Sequence, residues 1–401
     1  MKNATVPQDW KNIPLSEVLE ERTETVGTRD VEICSVAVNA GVINQLEHLG
    51  RSYAATDTSN YNVVSYGDIV YTKSPTGAFP LGIVKQSHLN RDVAVSPLYG
   101  VYKPANYYLG LLLHYYFQSS FKTNHYLRPI VNKGAKNTIL VSNQGFLKNK
   151  ILLPLDETEQ RAIAEVLITQ DTLISTAQRL LDAKKQQKQW LMQKLLWHKN
   201  WKTVKFKKMF DRLTRKNTVS NTNVMTISAW QGLINQEEYF NKSVSSEDLS
   251  GYYLLYNGEF AYNKSYSGNY KFGAFKRLDR YDSGVVSPLY ICFAPTAENK
   301  CPDFYMHYFE SSLLDREIKA IAQEGARNHG LLNIGVNDFF SMRLPVPPLE
   351  EQLAISEKLT AADREIELIT RNLEQQQLIK KYLMQQLLTG KIRVKGAMND
   401  D

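Results

Sequence analysis

Cysteine is scarce in this sequence, long apolar runs are missing, and one long stretch contains no acid. The three cysteines of the 401 residues, Cys34, Cys292 and Cys301, show no metal or redox spacing. That excludes a disulfide framework and suits buried thiols in a reducing compartment. The seven histidines form no HxxxH or HExxH pattern, so the clustered nitrogen and sulfur ligands of a zinc site are not there. No apolar run approaches the roughly 18 residues of a membrane span. The start, "MKNATVPQDW", lacks the apolar core of a secretory signal. The expected location is cytoplasmic.

Two enzyme signatures are also absent. An adenine methyltransferase needs [DN]-P-P-[YF] to hold the amino group, and "PVPPLE" lacks the Asp or Asn. No GxxxxGK[ST] phosphate loop occurs, which argues against ATP hydrolysis by this chain. One decoy remains. Pro302-Asp303 followed by Glu317-Ile318-Lys319 matches the loose PD…ExK pattern of metal-dependent nucleases, in which carboxylates hold Mg²⁺ and the lysine assists a water nucleophile.

Acid is missing from residues 93–155, which carry Lys103, Lys122, Arg128, Lys133, Lys136, Lys148 and Lys150. The net charge of +7 says less than this clustering, which offers either a solvated basic face or a phosphate-facing one. Glycine and proline are missing from 156–198 and from 349–389. A 4,3 spacing from Ile163 visits Leu167, Gln170, Ile174, Ala177, Leu181, Lys184, Lys188, Leu191 and Leu195. The same spacing from Ile355 visits Leu359, Ala362, Ile366, Ile369, Leu373, Gln376, Lys380, Leu383 and Leu387. Seven and eight of the ten positions are apolar, enough for two coiled-coil seams. Asp156 with Glu159 can cap the first helix, Glu350 and Glu351 suit the second helix dipole, and Gly390 can end it.

The chain repeats itself. "SPLY" stands at 96–99 and 287–290, "YTK" at 71–73 and "YNK" at 262–264, "GAKN" at 134–137 and "GARN" at 325–328, all at an offset of 191. "LMQKLL" at 191–196 and "LMQQLL" at 383–388 match at 192. A period of half the chain means two diverged copies of one module. The expected fold is α+β: two homologous α/β heads, 1–155 and 200–347, with long helices at 156–199 and 348–401. Chain order makes the helices an antiparallel intramolecular coiled coil with a pseudo-two-fold axis. An intermolecular coil is the competing arrangement.

With "VPQDWK", "GDIVYTK", "GEFAYNK", the doubled "SPLY", "LPVPPLEEQ" and "LLTGKIRV" in place, the whole chain resembles the DNA-specificity subunits of type I restriction–modification systems. The first proline motif, "LLPLDETEQ", departs from the pattern. The resemblance implies a non-catalytic chain whose target-recognition heads each read one half of a bipartite site on double-stranded DNA. It implies that the helices dock two methyltransferase subunits, with two motor-nuclease restriction subunits joining for cleavage. S-adenosylmethionine, ATP and Mg²⁺ then belong to those partners, and this chain binds no cofactor or metal.

DNA-contact candidates combine cations, small hydrogen-bonding residues and aromatics. In the second head they are Lys264, Ser265, Tyr266, Asn269, Tyr270, Lys271, Lys276, Arg277, Arg327 and Asn328. In the first they are Lys73, Ser74, Thr76, Lys85, Lys133 and Lys136. Lys136 and Arg327 are equivalent and suit phosphates. Lys271 and Arg277 face Pro80 and Gln86 at the offset of 191 and suit base reading. The seam residues Ile163, Leu167, Ile174, Leu181, Leu191, Leu195, Ile355, Leu359, Ile366, Ile369, Leu373, Leu383 and Leu387 are expected to carry partner binding. Two rival readings remain: a nuclease using Asp303, Glu317 and Lys319, and a coiled-coil adaptor that binds only proteins.

Overall fold

The computed structural model describes residues 7, 9–51, 54–133, 139–197, 200–228, 232–240, 248–265, 271–322 and 332–394. The chain divides into two compact units. Unit one is 1–178 with 371–401, and unit two is 179–370. Each unit holds one head and half of each long helix, Glu157–Leu196 and Leu349–Leu387.

In unit one, Trp10–Pro14 pairs antiparallel with Lys150–Pro154, tying the two ends of the head together. Beyond it lies a four-stranded sheet in the order Leu19–Glu21, Gly100–Pro104, Ile69–Thr72, Ile83–Gln86. The strand Ile69–Thr72 is buried along its whole length, so it reads as an unbroken run of apolar and β-branched residues rather than an alternation. Its Ile69 and Tyr71 pack with Leu15, Tyr102, Leu113, Phe117 and Phe146.

Unit two repeats the design in register. Lys202–Lys205 pairs with Arg343–Val346. Its sheet runs Phe210–Leu213, Ile291–Pro295, Phe260–Asn263, Ala274–Arg277. Ile69 lies opposite Gln86 and Tyr102, and Phe260 opposite Arg277 and Phe293, each 191 residues on. The core is more aromatic, with Phe206, Phe210, Phe260, Phe293, Phe309 and Phe339 clustered.

Short motifs make the same local structure in both copies. In each SPLY, the serine hydroxyl accepts from the leucine N–H at 3.3 Å and its carbonyl from the tyrosine N–H at 3.0 Å. The motif is a turn of the common scaffold. Tyr71 donates to the Leu81 carbonyl at 2.8 Å, and Tyr262 to the Phe272 carbonyl at 2.7 Å. The glycine that follows each carbonyl residue is required by close approach. Gly82 and Gly273 have φ of +104° and +79°, and a Cβ there would lie 2.2 Å from Thr72 O and 2.3 Å from Asn263 O.

All twenty seam positions are buried or half-buried. In unit one, the first long helix packs antiparallel on the second, with Gln170 Nε2 donating to Gln376 Oε1 at 2.8 Å and Lys380 paired with Asp171. In unit two, Lys184 pairs with Glu365 at 2.7 Å and Lys188 with Asp363. The polar breaks at Lys188 and Lys380 are therefore the same ion pair used once per unit (Asp171 is 192 residues before Asp363). Each pair is made within one chain, as the intramolecular coil requires.

The helix ends differ in part from expectation. Asp156 does cap, accepting from Thr158 N at 3.0 Å. Glu159 does not complete a capping box. It accepts from the Trp10 indole at 3.1 Å and from Arg393, which also holds Asp9. Glu351 takes the same part with Trp201, at 3.0 Å. Gly390, at φ +68°, ends the second helix against Pro7. Glu159→Ala removes the acceptor of a buried indole N–H and is expected to cost about 2 kcal/mol. A urea midpoint within error of the parent chain would show the clamp to be idle.

Candidate nucleic-acid interface

In each head the third and fourth strands of the sheet form a hairpin, and the predicted contacts cluster on its connecting loop. In unit one the loop carries Lys73, Ser74 and Thr76. In unit two it carries Lys264, Ser265 and Lys271. Ser74, Thr76 and Lys271 are exposed. Lys73 is half-buried and donates to Asn143 Oδ1 at 3.1 Å, while Asn143 donates to Glu21 at 2.7 Å. Burial pulls the Lys73 amine below its usual range, with Glu21 opposing. Lys264 is half-buried beside a small cavity of about 50 Å³ that Arg212 and Tyr253 also line.

The loops have equal length. Residues 73–82 read KSPTGAFPLG and 264–273 read KSYSGNYKFG. Lysine, serine and two glycines are kept, and the other six positions differ. A shared frame with divergent tips is what two readers of different sequences need, since kept residues can set register on phosphates while changed ones discriminate bases.

Other predicted contacts are placed differently. Lys85 and Lys276 occupy equivalent positions but are only 5% and 7% exposed. Each sits on a fully buried or nearly fully buried strand. Lys276 donates to Glu310 at 2.7 Å, so neither lysine presents a surface cation to a duplex. Arg277 is paired with Asp279 and Asp303, both at 2.6 Å, and lies over the Phe260 ring. Burial works against its charge, and the two carboxylates more than offset that. Base reading by Arg277 therefore requires one of those pairs to open. Lys136, Tyr266, Asn269, Tyr270, Arg327 and Asn328 lie outside the described residues, as does the side chain of Lys133.

The nuclease pattern does not assemble into the predicted role. Asp303 is committed to Arg277, and Glu317 accepts from the Arg343 N–H at 3.2 Å. Lys319 is exposed on the short helix Asp315–Ile321. Among the described residues, the one group with metal-ligand spacing is His307, Glu310 and Asp363. The Lys188 ammonium already bridges its two carboxylates, so the charge a cation would bring is supplied by the chain.

Inspection of the sequence for DNA contacts missed this buried cluster. A signal was present: "YFQSS" at 116–120 aligns with "YFESS" at 308–312 at the offset of 192. It places Gln118 where the second copy has Glu310.

No protein-family model matches the chain. Two curated relatives are type I restriction enzyme specificity subunits of Methanocaldococcus jannaschii. MjaX is 25% identical over 97% of this chain and 95% of its own length. MjaVIII is 28% identical over 64% of this chain and 65% of its own. Among solved structures, the S subunit of a type I restriction–modification system from M. genitalium aligns with a TM-score of 0.59 at 10% identity, over 96% of this chain and 97% of its own. A structure addressing complex assembly and conformational transition of the type I system gives 0.52 at 14% identity, over 97% and 100%.

The duplicated heads, each joined to a half-share of two long antiparallel helices, are a fold this chain shares with those two solved structures. The curated relatives are named specificity subunits, and the chain is a homologue of type I restriction–modification specificity subunits. Asp303 and Glu317, the carboxylates of the nuclease-like pattern, are engaged with Arg277 and the Arg343 N–H. Among the described residues, no helix is long and apolar enough to cross a membrane.

Proposed function

We propose that this chain reads a bipartite, asymmetric site on double-stranded DNA and brings methyltransferase subunits to its adenines. The observation that carries the reading is the pair of hairpin loops, flanked by strands in the same register, equal in length and different at six of ten positions. The acid-free stretch 93–155 supplies the electrostatic part in the first head. Two equivalent head–helix junctions offer two equivalent platforms, hence two methyltransferase subunits, with two motor-nuclease subunits joining for cleavage. S-adenosylmethionine, ATP and Mg²⁺ are assigned to those partners. The site of action is assigned to the cytoplasm.

The test is a genome-wide map of modified adenines with and without this chain, followed by methylation of a library randomised at both half-sites. Two separated half-sites of different sequence, with centres about one helical turn or ~34 Å apart, are expected. A contiguous target of four to six base pairs contradicts the reading. Lys271→Ala, at an exposed position of the second loop, is expected to relax one base of one half-site at a cost of about 1–3 kcal/mol. Lys136→Ala is expected to weaken all sequences alike and lower the salt slope by about 1. The reverse pattern would exchange the two roles.

A further inference from the structure

The two copies differ at one buried charge. In unit two, Glu310 lies between two cations: Lys276 donates to its Oε1 at 2.7 Å and Lys188 to its Oε2 at 3.0 Å. Lys188 also pairs with Asp363. In unit one the counterparts are Lys85 for Lys276, Lys380 for Lys188, and Asp171 for Asp363. Lys380 again pairs with Asp171. Tyr115, in the place of His307, donates to Asp171 at 2.9 Å.

The counterpart of Glu310 is Gln118. Its amide nitrogen lies 2.9 Å from His114 Nε2 and brings no charge. Lys85 is thus 5% exposed with no acceptor among the described residues. An ammonium removed from water without a counter-charge is costly. Burial, with Lys380 nearby, pulls the amine down to about 8, and Asp171 only partly opposes this.

Lys85 opens into space rather than protein. Together with His88, Tyr115, Gln118, Asp171 and Lys380 it lines a cleft of about 1020 Å³. Burial lowers both His88 and His114 from the usual imidazole range, so they are neutral at pH 7. Two lysines against one aspartate leave a single positive charge, which matches a carboxylate better than a phosphate dianion.

We propose that this cleft binds a carboxylate, which takes up in unit one the place beside the paired lysines that Glu310 fills in unit two. The carboxylate belongs to a small organic acid or to an acidic side chain of a bound polypeptide, and the chemistry that recognises it is the same.

The test uses the full chain and two probes, glutarate and the end-blocked peptide acetyl-Gly-Glu-Gly-amide, titrated calorimetrically. Binding of glutarate alone marks a small-acid site, and binding of the peptide alone marks a docking site for a polypeptide. Either supports the proposal if Lys85→Met weakens it at least tenfold. Gln118→Glu guards against a Lys85 variant that fails to fold. It installs the internal carboxylate, so it is expected to abolish binding of both probes and to raise the unfolding midpoint. Binding of neither probe to the parent chain overturns the proposal. So does binding that Gln118→Glu leaves unchanged, or a Gln118→Glu midpoint below that of the parent.

Discussion

Leu167→Asp is expected to destabilise unit one by at least about 4 kcal/mol, because a Leu-to-Ala truncation in a tight core already costs about 2–5 kcal/mol and an unpaired carboxylate adds to it. Leu167 is fully buried. It packs with Trp10, Leu111, Tyr115, Ile163 and Leu387, so one side chain joins the head, the first long helix and the end of the second. Its counterpart Leu359 is equally buried in the core of unit two, and Leu359→Asp should behave alike. Leu173, half-exposed on the same helix, is the control, and Leu173→Asp should stay within about 0.5 kcal/mol. Urea unfolding at several protein concentrations gives the measurement. Equal midpoints for Leu167→Asp and Leu173→Asp would refute the assigned seam. A midpoint that rises with protein concentration would point to a coil closed by a second chain.

That seam was legible because its signal is periodic. A 4,3 spacing without glycine or proline gives both the helix and the face that is covered, and all twenty positions lie on that face. The duplication was legible too, because equal offsets preserve strand register to the residue, as with Ile69 and Phe260. The heads' buried charges were not. Lys85, Lys276 and Arg277 looked like surface cations because a basic residue in a short strand is ordinarily solvated. What buries them is tertiary: the covering head helices Tyr107–Phe117 and Pro302–Glu310, and carboxylates such as Glu310 and Asp303 contributed from 26 to 34 residues away. Glu159 misled for a similar reason. Its position three residues after Asp156 fits a capping box, yet the indole of Trp10 and the guanidinium of Arg393, distant in sequence, claim it.

Glu310→Gln is expected to destabilise unit two by about 3–5 kcal/mol, since it removes the carboxylate that two largely buried ammoniums share. Burial alone would push the Glu310 carboxyl up. Lys276 and Lys188 overcome that and hold it at about 2, against 4.5 in the unfolded chain. The folded carboxyl is the stronger acid, so the unfolded chain takes up this proton first as pH falls. The stabilisation is complete above pH 4.5 and disappears between 4.5 and 2. Its size, on the order of 3 kcal/mol, follows from the distance between those two values. Unfolding free energies of the parent chain and of Glu310→Gln should therefore differ by a constant amount from pH 8 to 5 and converge as pH drops toward 3. Other titrating groups, Asp363 among them, act in both chains and largely cancel in the difference. A gap that stays constant down to pH 3 would mean that Glu310 is not held ionised by its lysines. In unit one the same position is an amide, so Gln118→Ala should show no such convergence, and any stability it loses should be independent of pH over that range.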